Sequence, residues 1–422
     1  MLALLGVCLL AATAPIAPAV LQTIGVWVAP IIIALRLRAV APLDALAVAV
    51  ALWASTAAIG HTWYPEVRAT AWAYWSVALI FVATRCTIRT AKDIAAVGAA
   101  YLCGCLYAAA DVIGQARQLD TAIDAAPARI GAGGINANYT AYALVAGILI
   151  AVALLFVAPL PRLLRIGVGL TTVVFGYAIL WTGTRGAQLA VALMLIYLLA
   201  STVNPRVVWI VSAVAAAVTL VAVPAGLYGD ERLLWWQQFF DRQDDGLSGR
   251  FYVWEVARDL WYDNLWTGIG PGMFPISNAL GIGAHSVPLT IAVELGVIGL
   301  VLVAATFVGA LRSAAAGGPT TQRLAGMLVI AWLPVWLSGH WELSPVAWLA
   351  VAMWSRLPAW NGNRGQHRLR RNAAAVRPLG SLNSQGRPWR GVAGRGEPGG
   401  QRSRDATLDR RAVAEQRRGG GW

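Results

Sequence analysis

Apolar runs long enough to cross a bilayer recur along almost the whole chain, each closed off by charge, proline or glycine. A spanning helix needs about 20 mainly apolar residues, with a lower limit near 17 where flanking residues snorkel. Runs of that kind lie at roughly 2–18, 20–35, 42–59, 69–84, 93–113, 138–158, 164–181, 187–203, 207–227, 286–311, 324–341 and 344–357. Backbone in lipid must satisfy its own hydrogen bonds, so runs of this length read as helices. The expected fold class is therefore all-α, a polytopic membrane protein with about 12 transmembrane helices. The composition, 58% hydrophobic and 13% charged, is too apolar for a soluble domain. In the first run the small residues of "TAPIAPA" suit a signal-peptide cleavage site. There is no basic segment before it and another apolar run follows at once, so a retained helix is the expectation.

The formal charge of +13 suggests a nucleic-acid binder until it is mapped onto the chain. Residues 358–422 hold 14 of the 33 basic residues and 4 of the 20 acidic ones, a net +10, which leaves +3 for everything before them. Rich in Arg, Gly, Pro and Ser, this segment is expected to be a disordered tail whose arginines can meet the headgroups of membrane lipids. It has no aromatic interleaving of the kind that stacks bases, so no nucleic-acid partner is expected. Domain organisation thus reads as a membrane domain over 1–357 and a basic tail over 358–422. The four cysteines, Cys8, Cys86, Cys103 and Cys105, lie in or beside apolar runs and read as small packing residues rather than a disulfide framework.

If the tail is cytoplasmic, alternation puts Arg36 and Arg38, then Arg85, Arg89 and Lys92, then Arg162 and Arg165, Arg206, and Arg312 with Arg323 on that same side. Both termini are then inside a multi-pass inner (plasma) membrane protein. The loops 60–68, 114–137, 182–186, 228–285 and 342–343 face outward. The long one, 228–285, contains "ERLLWWQQFFDR" and "GRFYVWEVARDLWYDN", whose spacing predicts short helices lying at the membrane surface.

This topology collects three polar residues on the outer face: Arg185 in "LWTGTRGAQLA", Arg250 in "LSGRFYVWE" and His285 in "GIGAHSVPLTIAVELGVIGL". Two guanidinium groups that never deprotonate suit a phosphate or diphosphate, which they hold through paired N–H donors. A histidine can take the proton of a hydroxyl nucleophile. Such a set activates a phosphate leaving group without a metal or other cofactor.

The stretches "LWTGTRGAQLA", "SGRFYVWEVARDLWYDNLWTGIGPGMFP" and "AHSVPLTIAVELGVIGL", in this order and spacing over roughly residues 170–310, resemble the O-antigen ligase and O-antigen polymerase superfamily of membrane glycosyltransferases. The helix number and the long outer loop agree. Thr184 stands where serine is usual before the arginine, and Ser286 where asparagine often follows the histidine; both keep a small polar group. The resemblance implies a glycan carried on a polyprenyl diphosphate (undecaprenyl diphosphate), transferred at the periplasmic face to an acceptor hydroxyl of a glycan or lipid, such as lipid A core. It implies that Arg185 and Arg250 bind the diphosphate, with Thr184 and Ser286 beside them, and that His285 positions or deprotonates the acceptor. Glu294, an acid inside an apolar run, is expected to face a cavity or partner and could orient His285.

Other readings stay open at this stage. An arginine at a helix end can be a snorkelling anchor, Arg250 can pair with Glu255, and His285 can bond backbone near the following proline. Ligase and polymerase differ in their acceptor, which the residues do not specify. A transporter or flippase for an anionic lipid-linked substrate would show paired halves with interrupted helices at matching positions, a symmetry not visible in the sequence. A rhomboid-like protease would need a membrane-embedded G-x-S serine. "GIGPG" lacks the strand-then-helix context of a nucleotide loop, so Gly268, Gly270 and Gly272 read as turn formers. His340 and Glu342 of "SGHWE" have no third metal ligand in view and read as an interfacial cap, as do His61 and Glu66.

Overall fold

In a computed structural model the described residues are 1–36, 41–120, 129–158, 160–202, 210 and 250–358, without the side chains of Leu119, Asp120, Arg250, Phe251 and Ser338. They form an all-helical bundle: α1 Leu2–Thr13, α2 Pro18–Ala34, α3 Pro42–Ala57, α4 Pro65–Thr87, α5 Ala91–Asp120, α6 Ala137–Val157, α7 Arg162–Trp181, α8 Arg185–Ala200, α9 Arg250–Asp263, α10 Phe274–Ser277, α11 Val287–Ala315, α12 Pro319–Ser338 and α13 Pro345–Trp354. Each expected apolar run coincides with a helix except 207–227. That run, the loop part 228–249 and the tail beyond residue 358 lie outside the described residues. Proline repeatedly marks the starts: Pro18, Pro42, Pro65, Pro319 and Pro345 occupy first turns, where a missing N–H removes no helical bond.

Among the described residues five helices, α4 to α7 and α11, are long and apolar enough to cross a membrane. Others are shorter than their apolar runs suggest. α1 stops at Thr13, where the threonine hydroxyl bonds the Leu9 carbonyl at 2.5 Å and Pro15 and Pro18 follow. At 1.5 Å per residue it reaches about 18 Å, short of a hydrocarbon core of about 30 Å. The 10 residues of α13 are all buried, so this short helix is hydrophobic on every side because it is enclosed by α2, α4, α6 and α11. Its Trp348 sits edge-on to Phe81 and Phe307, at 5.8 and 5.9 Å, and donates its Nε1–H to the Glu342 carbonyl at 2.8 Å. α7 lies at the opposite extreme: it packs on α5 and α6 but leaves Leu163, Leu170, Val173 and Leu180 exposed, as suits a helix with one face toward acyl chains.

Small residues set the closest approaches. A Cβ on Gly104 would lie 2.1 Å from the Ala12 carbonyl oxygen, so α5 and α1 meet backbone to backbone. Cys105 beside it is buried, and all four cysteines are free thiols. Arg85, one of the basic residues expected on the tail's side of the membrane, is buried in the last turn of α4. Its Nε lies 2.5 Å from Asp44 of α3, its Nη1 bonds Ser355 just past α13, and its guanidinium sits over the Phe81 ring. One carboxylate supplied by α3 makes that burial possible.

α11 is broken at Gly296, which has φ 67° and ψ −170°. Residues 265–270 lie along the break and bond it from both sides. Ile269 N–H meets Val293 O at 2.9 Å, Gly270 N–H meets Glu294 O at 3.0 Å, and Val297 N–H meets Leu265 O at 2.9 Å. Gly268, Gly270 and Gly272 all have positive φ, as turn formers require. The 60–68 segment packs on the same turn: a Cβ on Gly270 would lie 3.1 Å from His61 Cδ2, and one on Gly272 would lie 3.0 Å from the Glu66 carbonyl.

Candidate active site

Gly183, with φ 62°, turns the chain between α7 and α8, leaving Thr184 as the N-cap residue of α8 and Arg185 as its first helical residue. Arg185 is exposed and Thr184 buried. The Thr184 hydroxyl donates to Asn138 Oδ1 at 3.2 Å. Asn138 belongs to the first turn of α6, where its own N–H is capped by the Asn136 side chain at 2.8 Å. Two helix N-termini therefore meet at this corner, each carrying partial positive charge. Arg129 closes it: its Nη2 donates to the same Asn138 oxygen and lies 3.4 Å from Thr184 Oγ1. Neither Arg129 nor Asn138 stood out in the sequence, because "APARIGAGG" carries no motif.

His285 stands just before α11 with φ 51°. Among the described residues it is the one non-glycine with positive φ, a conformation that persists only when the surroundings enforce it. Part of those surroundings is His340, whose ring centroid is 4.4 Å away at an interplanar angle of 53°. His340 Nδ1 is 3.7 Å from Glu342 Oε1, and the ring rests on Gly283, where a Cβ would lie 2.2 Å from His340 Cε1. The "SGHWE" segment is thus a neighbour of His285 rather than only a cap. Among the described residues no third metal ligand joins it.

Ser286, the N-cap residue of α11, is fully buried and its Oγ meets no hydrogen-bond partner among the described residues; Thr290 Oγ1, one turn on, is in the same position. With Glu294 they form a buried polar stripe on one face of the helix. Glu294 Oε2 accepts the Gly272 N–H at 2.8 Å, so its direct contact is with the 268–272 turn, while His340, Glu342 and Tyr74 lie within electrostatic reach. Arg250 opens α9, but its side chain lies outside the described residues. One turn later Trp254 donates its Nε1–H to the carbonyl of Ala284, the residue before His285, at 2.7 Å. The start of α9 is therefore anchored beside the histidine.

The two corners are joined. Tyr139, next to Asn138, stacks on Trp341 at 5.6 Å and 19°, and Tyr142 meets the same indole edge-on at 5.4 Å. Trp341 is the residue after His340. Side-chain contacts join Arg129 and Thr184 to Asn138, Tyr139 to Trp341, and His340 to His285, and the backbone joins Asn138 to Tyr139 and Trp341 to His340. Chemically this arrangement places anion-binding groups at one end and an imidazole pair beside a carboxylate at the other.

Residues 170–304 match a family model described as O-Antigen ligase. The matched segment contains all three motif stretches with Arg185, Arg250 and His285, and supports placement in the O-antigen ligase and polymerase superfamily, whose members are membrane glycosyltransferase-like enzymes. No curated protein matches the chain.

Proposed function

We propose that this protein transfers a glycan from a polyprenyl diphosphate to an acceptor hydroxyl at the outer face of the inner (plasma) membrane, as an O-antigen ligase does. The observation that carries the reading is the short run of contacts and chain neighbours between the Thr184 corner that presents Arg185 and the His340 ring on His285, because glycosyl transfer needs both ends at once. The acceptor oxygen attacks the anomeric carbon, the bond from that carbon to the diphosphate oxygen breaks, and the acceptor proton passes to His285. Arg185 and Arg250 hold the departing diphosphate, whose charge grows as the bond breaks; one such contact commonly contributes about 10² to 10³ in rate. His340, backed by Glu342, fixes the orientation of His285. Ser286 and Glu294 lie on the wall that the acceptor approaches, and Thr184 presents Arg185. A polymerase of the same superfamily would use the same site with another lipid-linked repeat as acceptor.

The test uses purified protein, a polyprenyl-diphosphate glycan and candidate acceptors in EDTA, comparing wild type with Arg185→Ala, Arg250→Ala and His285→Ala. Each variant should lose at least about 10² in rate. Wild-type transfer by all three folded variants would sink the site assignment, and a strict need for a divalent ion would sink the metal-free mechanism.

A further inference from the structure

We propose that Arg129 is a third cation of the diphosphate site, a substrate-binding residue supplied by the connection between α5 and α6 rather than by any of the three motifs. This inference rests on the donor reading given above. Arg129 lies over the turn that presents Arg185: its Cγ would be 3.6 Å from a Cβ on Gly183, and its Nη2 reaches Thr184 and Asn138. Both partners are neutral acceptors, and among the described residues no carboxylate lies within ion-pair distance of it. Among the described residues no carboxylate balances its charge, which sits beside two helix N-termini, α6 and α8, and against Thr184, the chain neighbour of Arg185. Positive charge beside positive helix ends is unfavourable, and a multiply charged anion relieves the guanidinium and the two helix N-termini together.

A guanidinium has five N–H donors, and the contacts to Asn138 and Thr184 use only those on Nη2. Nη1 and Nε remain to donate to phosphate oxygens while Nη2 stays tethered. The tether also explains why an exposed loop arginine takes a defined position, and a pre-positioned charge loses little entropy on binding. Asn138 contributes by fixing the guanidinium and is a positioning residue in this scheme.

A latch and a ligand make different demands on the side chain. Glutamine at this position keeps amide donors for Asn138 and Thr184 but removes the charge; lysine keeps the charge but loses the fork. Full-length protein in nanodiscs of zwitterionic lipid would be titrated with inorganic pyrophosphate by calorimetry. In parallel, transfer would be measured against donor and acceptor concentration for wild type, Arg129→Ala, Arg129→Gln and Arg129→Lys. We expect Arg129→Ala and Arg129→Gln to weaken pyrophosphate binding and to lower kcat/KM for the donor by about 10², with the acceptor KM little changed, and Arg129→Lys to recover about tenfold. Equal pyrophosphate affinity in wild type and Arg129→Ala overturns the proposal, as does full recovery by glutamine, which marks a latch. If wild type shows no transfer from any polyprenyl diphosphate yet binds pyrophosphate through Arg129, the donor reading fails and the anion site stands. Wild type that binds no pyrophosphate overturns the site itself.

Discussion

Replacing Gly296 by alanine should unravel the break in α11. Its φ of 67° with ψ −170° is a region open essentially to glycine, and forcing another residue there costs about 1–3 kcal/mol. The added Cβ would also lie 2.2 Å from the Trp266 carbonyl oxygen and 2.3 Å from its carbon, which are backbone atoms that no rotamer change can move aside. Relief requires residues 265–267 to withdraw, which lengthens the bonds Val297 N–H to Leu265 O at 2.9 Å and Ile298 N–H to Trp266 O at 3.4 Å. At about 0.5–1.5 kcal/mol for each, the total loss is about 2–6 kcal/mol. The comparison is Gly167→Ala in α7, whose Cβ would meet open space. Thermal unfolding of both variants and wild type, purified in one detergent and followed by tryptophan fluorescence at one scan rate, gives the difference. A Gly296→Ala midpoint indistinguishable from that of Gly167→Ala would refute the reasoning, because neither the strain nor the overlap would then be real.

Asp44→Ala should leave Arg85 buried with no counter-charge and cost about 3–5 kcal/mol, and adding Arg85→Met should restore much of the lost melting temperature. Restoration that fails would mean that the pair matters for more than its own neutrality. Gly283→Ala should push the His340 ring off His285, since the new Cβ would lie 2.2 Å from His340 Cε1. His340 is partly exposed and can swing aside, so we expect melting to change little while the transfer rate falls about tenfold, a loss typical of a disturbed orienting contact. Unchanged transfer would show that the histidine pair does not set the rate.

The helices were legible because apolar length and first-turn prolines are local properties. Pro42 and Pro345 announce α3 and α13 without help from the rest of the chain. The break at Gly296 was not, since "IAVELGVIGL" reads as one unbroken span and the interruption exists only because residues 265–270 bond to it. The burial of Arg85 was not legible either, for a related reason: nothing local shows that a carboxylate 41 positions earlier meets it. Of the candidate site, Arg185, Arg250 and His285 were visible as an ordered set of motifs. His340 and Arg129 were hidden, one behind its own neighbouring glutamate, which suggested a cap, and the other in a polar loop where every arginine looks alike. Ring contact between His285 and His340, and the sharing of Asn138 by Arg129 and Thr184, are tertiary facts with no local signature.

Asn138 and Tyr139 are consecutive on α6, yet one touches the arginine corner and the other touches the indole beside His340. A ligand that draws on Asn138 cannot rotate that turn without shifting the surface on which Trp341 rests. In the proposed reaction the two substrates would thereby be thermodynamically linked. Whatever factor an occupied anion corner imposes on affinity for the second substrate, the second substrate must impose on the first. Donor and acceptor titrations carried out in either order should therefore close the same cycle, with one coupling constant between them.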